Sequence, residues 1–333
     1  MRGDHCVLVT GATGAVGPAV ITALWQAGYS VRALARYEPG PGLLPPEVEF
    51  RRGDIGYLPT LMAASEGCDF VVHMAALLHI VNAGADLEER YQEINVRGTE
   101  NVVQAAMQTG VQRLVFLSTI AVYGRSQGQV FTEETQPRPY SLYARTKLEA
   151  ERKVLSAYRG DTPLGVVLRL AAVYGPRLKG NYLRLVRALA RGRFVPVGAG
   201  NNRRTLIYDK DVAAAIRLAL KHPMAAGKIY NVTDGHFHSI KEIITAISHA
   251  LGRRPPVWYV PERPIKITAT IIDKISTSLL ARPFHLQAAI EKYTEDIAVS
   301  GARIQEELGF VPQYDLKRGW QEAIDQLRGA GVI

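Results

Sequence analysis

The stretch Cys6-Val-Leu-Val-Thr10-Gly-Ala-Thr-Gly-Ala-Val-Gly17-Pro-Ala-Val-Ile-Thr-Ala-Leu-Trp-Gln-Ala27 decides the fold. Val7–Thr10 is a short apolar run of strand character, and Ala19–Ala27 has the apolar spacing of a helix. Between them Gly11, Gly14 and Gly17 stand at the spacing of a dinucleotide-binding turn. The first glycine permits a tight turn, the second lets backbone approach a pyrophosphate, and the third lets helix pack closely on strand. The helix N-terminus then faces the phosphate charge. Gly11, Thr13, Gly14, Ala15, Val16 and Gly17 are therefore the candidate phosphate contacts. A glycine triplet alone says little; its weight comes from the strand–helix alternation around it.

Outward from this turn, apolar runs recur at Ser30–Leu34, Val48–Arg51, Phe70–His73, Leu114–Ser118 and Gly165–Leu170. Helical patterns such as Glu93–Gln108 and Tyr143–Tyr158 lie between them. Strict alternation of strand and helix predicts parallel βαβ units: an α/β, doubly wound parallel sheet of Rossmann type. The later chain is less regular, with helices over Pro176–Gly192 and Ser239–Leu251 and one more strand at Lys228–Val232. Val257–Pro264 reads as extended, and Ile265–Leu280 as a helix with a broad apolar face, expected to pack in the second lobe, with a membrane surface the alternative. The expected division is a dinucleotide-binding domain from residues 1–172 and 206–233, with a smaller C-terminal substrate-binding α/β lobe from 173–205 and 234–330.

Composition narrows the function classes. With 333 residues, 47% of them hydrophobic and 21% charged, the chain reads as globular. Cys6 and Cys68 have no zinc-ligand spacing and make no disulfide framework; Cys6 reads as a core thiol. No apolar stretch reaches the roughly 18 residues of a membrane span, and the N-terminus does not read as a signal peptide, so a cytoplasmic location is expected. The net charge of +9 is uneven. Between Pro176 and Lys210 stand Arg177, Lys179, Arg184, Arg187, Arg191, Arg193, Arg203, Arg204 and Lys210, against Asp209 alone, an excess that suits an anionic ligand. No zinc-finger spacing or aromatic-basic signature supports nucleic-acid binding. His236-Phe-His238 lacks the neighbouring carboxylates or thiols a metal site needs, and no metal is expected.

Two further positions bear on a nicotinamide cofactor. The second strand ends Leu34-Ala35-Arg36, without the carboxylate that binds a ribose 2′-hydroxyl in NAD-preferring folds. The Arg36 fork suits a 2′-phosphate, so NADP is expected, with NAD the alternative. Tyr143 and Lys147 stand at i and i+4 on a helix and share a face. An ammonium there is expected to lower the phenol pKa, so that Tyr143 can carry a proton while the nicotinamide carries hydride. Thr119, at the end of the fifth strand, is placed to hold the substrate oxygen against Tyr143, whereas Ser118 reads as a strand-end hydrogen bond.

These residues together resemble the extended short-chain dehydrogenases/reductases of the NAD-dependent epimerase/dehydratase type, the group that includes UDP-galactose 4-epimerase. The likeness runs along most of the chain: Gly53-Asp54-Ile55, His73-Met74-Ala75-Ala76, Asn95 to Asn101, Ser118 to Gly124, Tyr143 to Lys147, Val173-Tyr-Gly-Pro176 and Glu307-Leu-Gly-Phe310. The resemblance implies that Asp54 holds the adenine amino group and that Ala75 and Ala76 line the cofactor. Ile55 and Asn95 are carried over as cofactor contacts, and Lys147 as a ligand of the ribose hydroxyls. Thr119 falls on the catalytic Ser/Thr position and Tyr143 on the proton carrier, and a homodimer is implied.

Within that group, Ile120 and Ala121 replace the acidic pair of the dehydratases, so dehydration is not expected. Asn202-Arg203-Arg204 and Asn181 look like the nucleotide-sugar members, where the arginine matching Arg204 clamps the diphosphate and the region of Asn181 meets base or sugar. The leading reading is hydride transfer at C4 of a nucleotide-activated sugar, as a 4-ketoreductase or a UDP-sugar 4-epimerase. Ala172 departs from the asparagine of many such enzymes and keeps a second class open: oxidation or reduction of a hydrophobic ketone or alcohol, as in 3β-hydroxysteroid dehydrogenases and dihydroflavonol reductases. A non-catalytic nicotinamide sensor is a third class, opposed by the retained Tyr143 and Lys147.

Overall fold

The computed structural model describes residues 5–78, 86–126, 128–177, 179–268, 270, 273 and 286–333. Seven parallel strands form the main sheet: β1 (Cys6–Thr10), β2 (Ser30–Ala35), β3 (Glu49–Arg52), β4 (Phe70–His73), β5 (Arg113–Thr119), β6 (Gly165–Leu170) and, skipping a short strand β7 (Ala172–Tyr174) and its parallel partner β8 (Leu206–Tyr208), β9 (Ile229–Val232). Their spatial order is β9-β6-β5-β4-β1-β2-β3. The chain winds outward from β1 to β3, then returns to lay β4 on the other side of β1, with Thr10 paired to Leu34 on one flank and His73 on the other. That reversal is the crevice where open α/β sheets bind their ligands. The doubly wound sheet is as the strand–helix alternation implied, and Lys228–Val232 supplies its seventh strand as Ile229–Val232.

The central strands are buried on both faces, as parallel strands between helices must be, while the edge strand β3 is largely exposed. On one face pack α1 (Gly17–Gln26) and α7 (Asp209–Lys221), through Val20, Ile21, Leu24, Val212 and Ile216 against Val7, Val9, Val115 and Val166. On the other lie α2 (Leu58–Ser65), α4 (Gly98–Gln108) and α5 (Leu142–Leu155), through Leu61, Val102, Val103 and Val154 against Leu8, Val71, Phe116 and Val167. Each such side chain contributes about 1.5–3 kcal/mol on burial. A separate core joins α6 (Gly180–Ala190), α8 (Ile240–Ala250) and, at the C-terminus, α11 (Leu316–Gly329) around Trp320, which stacks on Tyr174 at 4.7 Å. Between α8 and α11 in the chain come α9 (Leu286–Thr294) and α10 (Ala302–Leu308), the latter packed on the main-sheet core through Ile304 and Leu308.

Three helices differ from their expected bounds for identifiable reasons. The pattern over Glu93–Gln108 is not one α-helix: α3 (Leu87–Tyr91) runs into a π-helical turn, Gln92–Arg97, before α4. The helix expected over Pro176–Gly192 begins at Gly180, whose φ of +66° belongs to a turn. Val257–Pro264 is extended only to residue 261; a helical stretch covers 262–268, with Pro264 in its first turn, where no donor is lost. Most of the helix expected over Ile265–Leu280 lies outside the described residues.

Candidate active site

The turn after β1 is built by collision. Gly11 has φ +72°, and a Cβ there would stand 2.7 Å from the Ala75 nitrogen and 2.8 Å from the Met74 carbonyl carbon. Only glycine lets this turn touch the backbone beyond β4, which places Ala75 against it. At Gly17 a Cβ would collide with the Ala12 carbonyl, the close helix packing expected of the third glycine. Gly14 N–H donates to the Gly11 carbonyl at 2.9 Å and closes the turn. Helix α1 then starts with no side-chain cap and no acid in its first turn. Its leading N–H groups and positive dipole end are left for an anion. Arg177, absent from the sequence-based site, donates from Nη2 to the Thr13 carbonyl at 3.4 Å, and its Nε is buried without a partner among the described residues. The only sign of it in sequence was its place in the basic stretch after Gly175-Pro176.

Beneath the turn a polar ladder fixes the loop after β4. His73 Nδ1 faces Thr10 Oγ1 at 2.7 Å, and Nε2 faces Thr99 Oγ1 at 3.0 Å. Thr99 Oγ1 donates to the Asn95 carbonyl, so it accepts from His73 Nε2–H, and Thr10 donates to Nδ1. Thr10 Oγ1 in turn accepts from the Met74 and Ala75 nitrogens, both at 3.3 Å. Burial pushes His73 down to about 3, so it stays neutral. Asn95, inside the π-helical turn, accepts from Leu77 N–H at 2.7 Å and donates to the Leu77 carbonyl at 3.1 Å and to Thr146 Oγ1 at 3.2 Å. It holds the Ala75–Ala76 segment in place and touches the helix that carries Tyr143 and Lys147.

Helix α5 is capped by Ser141, whose hydroxyl accepts from Ala144 N–H at 3.2 Å, so Tyr143 falls in the first turn and Lys147 in the next. Lys147 is 2% exposed, and its Nζ lies 3.9 Å from the centroid of the Phe116 ring on β5. Burial pushes its amine down to about 7, opposed by Glu151 one turn further on. Tyr143 is pushed up to about 12 by burial, with the Tyr91 ring 6.4 Å away adding to the shift. The expected lowering of the phenol by its neighbouring ammonium is thus not what the site shows. Desolvation disfavours both charged forms at once.

Successive residues at the end of β5 point to opposite faces. Ser118 turns inward and donates to the Glu151 carboxylate, the strand-end hydrogen bond expected of it. Glu151 is held bidentately by Arg169 at 2.6 and 3.0 Å, a pair almost wholly buried. Thr119 is only half-buried; its Oγ1 accepts from Ala121 N–H at 3.2 Å, which leaves its own O–H free to donate. Phe116 under Lys147 and the packing of α5 on β5 bring Thr119, Tyr143 and Lys147 to the carboxyl end of the sheet.

The outlying candidates are more scattered. Asp54 is exposed beyond β3 and accepts from Gly56 N–H at 2.9 Å; Ile55 is buried against Gly98. Arg36 is exposed at the end of β2, its guanidinium 5.9 Å from the Tyr37 ring. Asn181 is exposed in the first turn of α6. Arg204 is 9% exposed, and its terminal nitrogens donate to the Glu295 and Lys292 carbonyls and, at 3.2 Å, to that of Tyr293. It therefore clamps the C-terminal end of α9, and three of its five N–H groups are not free for a diphosphate as expected. His238 pairs with Asp234 at 2.6 Å; among the described residues no group of three His, Cys, Asp or Glu could hold a metal ion. Among those residues, too, no helix is long and apolar enough to cross a membrane.

A parallel seven-stranded sheet with a glycine turn at its crevice and a Tyr–Lys pair at its carboxyl end defines a short-chain dehydrogenase/reductase type of enzyme. A model of the NAD dependent epimerase/dehydratase family matches residues 7–233, more than half of the chain, and the chain belongs to that family. It is 28% identical over 323 residues to a UDP-glucose 4-epimerase of Vibrio cholerae, covering 95% of this chain and 93% of that one. It is also 28% identical over 333 residues to a 3 beta-hydroxysteroid dehydrogenase/Delta 5-->4-isomerase of Mycobacterium tuberculosis, covering 96% and 89%. Among solved structures it resembles MoeE5 in complex with UDP-glucose and NAD, with TM-score 0.74 and 28% identity over 97% of this chain and 99% of the other.

Proposed function

We propose that this enzyme moves hydride between a nicotinamide dinucleotide and C4 of a nucleotide-activated hexose. What supports the reading is that Thr119 ends β5, that Lys147, one turn after Tyr143 on α5, lies over Phe116 of that strand, and that the open glycine turn follows β1 of the same parallel sheet. The residues fit a dinucleotide. Gly11, Thr13, Gly14, Ala15, Val16 and Gly17 would receive the pyrophosphate, with the unpartnered Arg177 Nε beside them. Asp54 would meet the adenine, Ile55, Ala75, Ala76 and Asn95 would line the site, and Lys147 would hold the ribose hydroxyls. When bound, the nicotinamide supplies the hydride or accepts it. Thr119 holds the sugar 4-oxygen through its free O–H, and Tyr143 takes or returns that oxygen's proton. Residues 1–172 and 206–233 form the cofactor domain in this reading, and residues 173–205 and 234–330 the substrate domain.

The exposed Arg36, with no carboxylate at Ala35, favours NADP over NAD and so a single reduction, a 4-ketoreductase, over an epimerase that keeps its hydride. Asn181 and the two remaining N–H groups of Arg204 would face the nucleotide diphosphate. A second reading, a hydrophobic ketone or alcohol as substrate, is favoured by Ala172 and by the main-chain partners of Arg204, and is in keeping with the hydroxysteroid relative. Isothermal titration separates the two: UDP and NADPH should each bind the wild type, and a homodimer should be seen in sedimentation. Absence of any nucleoside diphosphate binding at millimolar concentration would transfer the proposal to the hydrophobic substrate. Arg36→Ala should weaken NADPH about tenfold and leave NADH unchanged; equal loss for both would remove Arg36 from the ribose site.

A further inference from the structure

The second lobe carries a ridge that neither the cofactor nor the sugar reading uses. Val257 and Trp258 are 81% and 83% exposed, side by side on the extended stretch before the helical stretch 262–268. The Gly198 nitrogen donates to the Val260 carbonyl at 2.8 Å and Val260 N–H to the Pro196 carbonyl at 3.0 Å, which lays the segment bearing the exposed Val195 alongside. Ile267 is exposed as well. Around this apolar ridge stand exposed arginines: Arg253 and Arg254 just before it, Arg263 just after it, and Arg191 and Arg193 flanking Gly192, which lies against the Arg253 guanidinium. Glu262, the only acid between Arg253 and Lys266, is paired with Lys266.

We propose that this ridge seats the protein on an anionic lipid surface. An indole and a valine held in water gain by entering the interfacial layer, where a tryptophan ring is at home with one end apolar and one end wet. A rim of arginines with no ion pair among the described residues adds attraction to anionic headgroups that acts only within about 8–10 Å at ordinary salt, so the apolar pair and the cations must act on one plane. Chain adjacency of Arg253 and Arg254 to the pair, and the approach of Gly192 to Arg253, bring four of these cations near it. Pro255, Pro256 and Pro261 bracket the pair and stiffen it, so little backbone freedom is lost on docking. A polyanion such as nucleic acid would use the arginines and leave Val257 unexplained. The proposal concerns peripheral docking and is independent of which substrate the enzyme turns over.

The test is co-sedimentation of the full chain with phosphatidylcholine vesicles, with or without roughly one third phosphatidylglycerol, combined with Trp258 emission. Wild type should sediment with the anionic vesicles, less so at high salt, and its emission should shift to the blue. Val257→Ser/Trp258→Ser, at exposed positions away from both cores, should weaken that binding at least about tenfold. Trp258→Phe should bind and lose the shift, which assigns it against Trp25 and the buried Trp320. Equal binding by wild type and the double serine variant would reduce the effect to charge alone and overturn the proposal. So would Trp258 emission that is already that of a buried indole without lipid, since the ridge is then covered by protein; sedimentation velocity would show whether a second copy covers it.

Discussion

Two places in this chain hold the residue types that bind diphosphates, and the fold treats them in opposite ways. At the turn from β1 to α1 the donors are in surplus. The helix starts uncapped, its first turn has no acid, and Arg177 leaves Nε unpartnered next to it. At Arg204 three of the five N–H groups are spent, because the carbonyls at the end of α9 have taken them. A buried arginine must be satisfied by something, and main-chain carbonyls serve as well as phosphate oxygens. Positive charge therefore says less about an anion site than unspent donors on a packed backbone do. The same contrast recurs at the reacting end: Arg169 is matched by Glu151 in a bidentate pair, while Lys147 lies over an aromatic face with no ion pair among the described residues.

The comparison breaks most sharply at the catalytic pair. Tyr143→Phe should cut turnover by about 10²–10⁴-fold while sparing cofactor affinity, because it removes a proton carrier and no phosphate donor. A variant that kept more than about a tenth of the activity would sink the assignment. Lys147 offers a pH test of its unmatched burial. Its folded value of about 7 lies below the ordinary 10.5. Between these values the unfolded chain binds a proton that the folded chain has released, so stability should rise with pH across that window. Below about 7 both states are charged and the cost stays constant. Urea midpoints measured through the window should climb for wild type by an amount worth a few kcal/mol, and Lys147→Met should remove the climb. Parallel curves for the two proteins would show that the amine is not depressed.

How far the sequence could be read depends on the same division between local and distant partners. The glycine turn, the alternation that made the parallel sheet and the i,i+4 geometry of Tyr143 and Lys147 are local, and periodicity or spacing reveals them. The π-helical turn at Gln92–Arg97 escaped because its apolar pattern passes for ordinary helix. Arg204 escaped because its partners lie some ninety residues on, at Lys292 to Glu295. The upward shift of Tyr143 escaped because it comes from burial, a tertiary property, whereas the ammonium one turn away was visible in sequence. Nor could composition show that Arg177, alone of the basic stretch, reaches the Thr13 carbonyl.

Arg177 sharpens the comparison at the next level of effect. If its Nε is unspent because a pyrophosphate takes it, Arg177→Met should weaken NADPH and NADH alike by about 10–100-fold, the worth of one charge-assisted hydrogen bond. Titration of both cofactors into the variant reads this directly. A loss confined to NADPH would move Arg177 to the ribose phosphate, and no loss would leave it a structural contact to Thr13.

The smallest effect is expected where the donors are already committed. Arg204→Met strips three hydrogen bonds from the carbonyls of Lys292, Tyr293 and Glu295, and with them the cation that offsets the negative end of α9. The variant should therefore lose about 1–3 kcal/mol of stability, readable as a lower urea midpoint with unchanged slope. Its affinity for UDP should fall less than about tenfold, because only two N–H groups remained to meet a diphosphate, and its affinity for NADPH should not change. Arg204→Lys sorts the two roles. It keeps the charge but loses the planar fork, so it should restore UDP binding more fully than stability if the charge serves substrate and the fork serves the helix. A hundredfold loss of UDP affinity with the urea midpoint unmoved would reverse the picture: the carbonyl contacts would then yield to the nucleotide when it binds, and Arg204 would stand beside the glycine turn as a true diphosphate site.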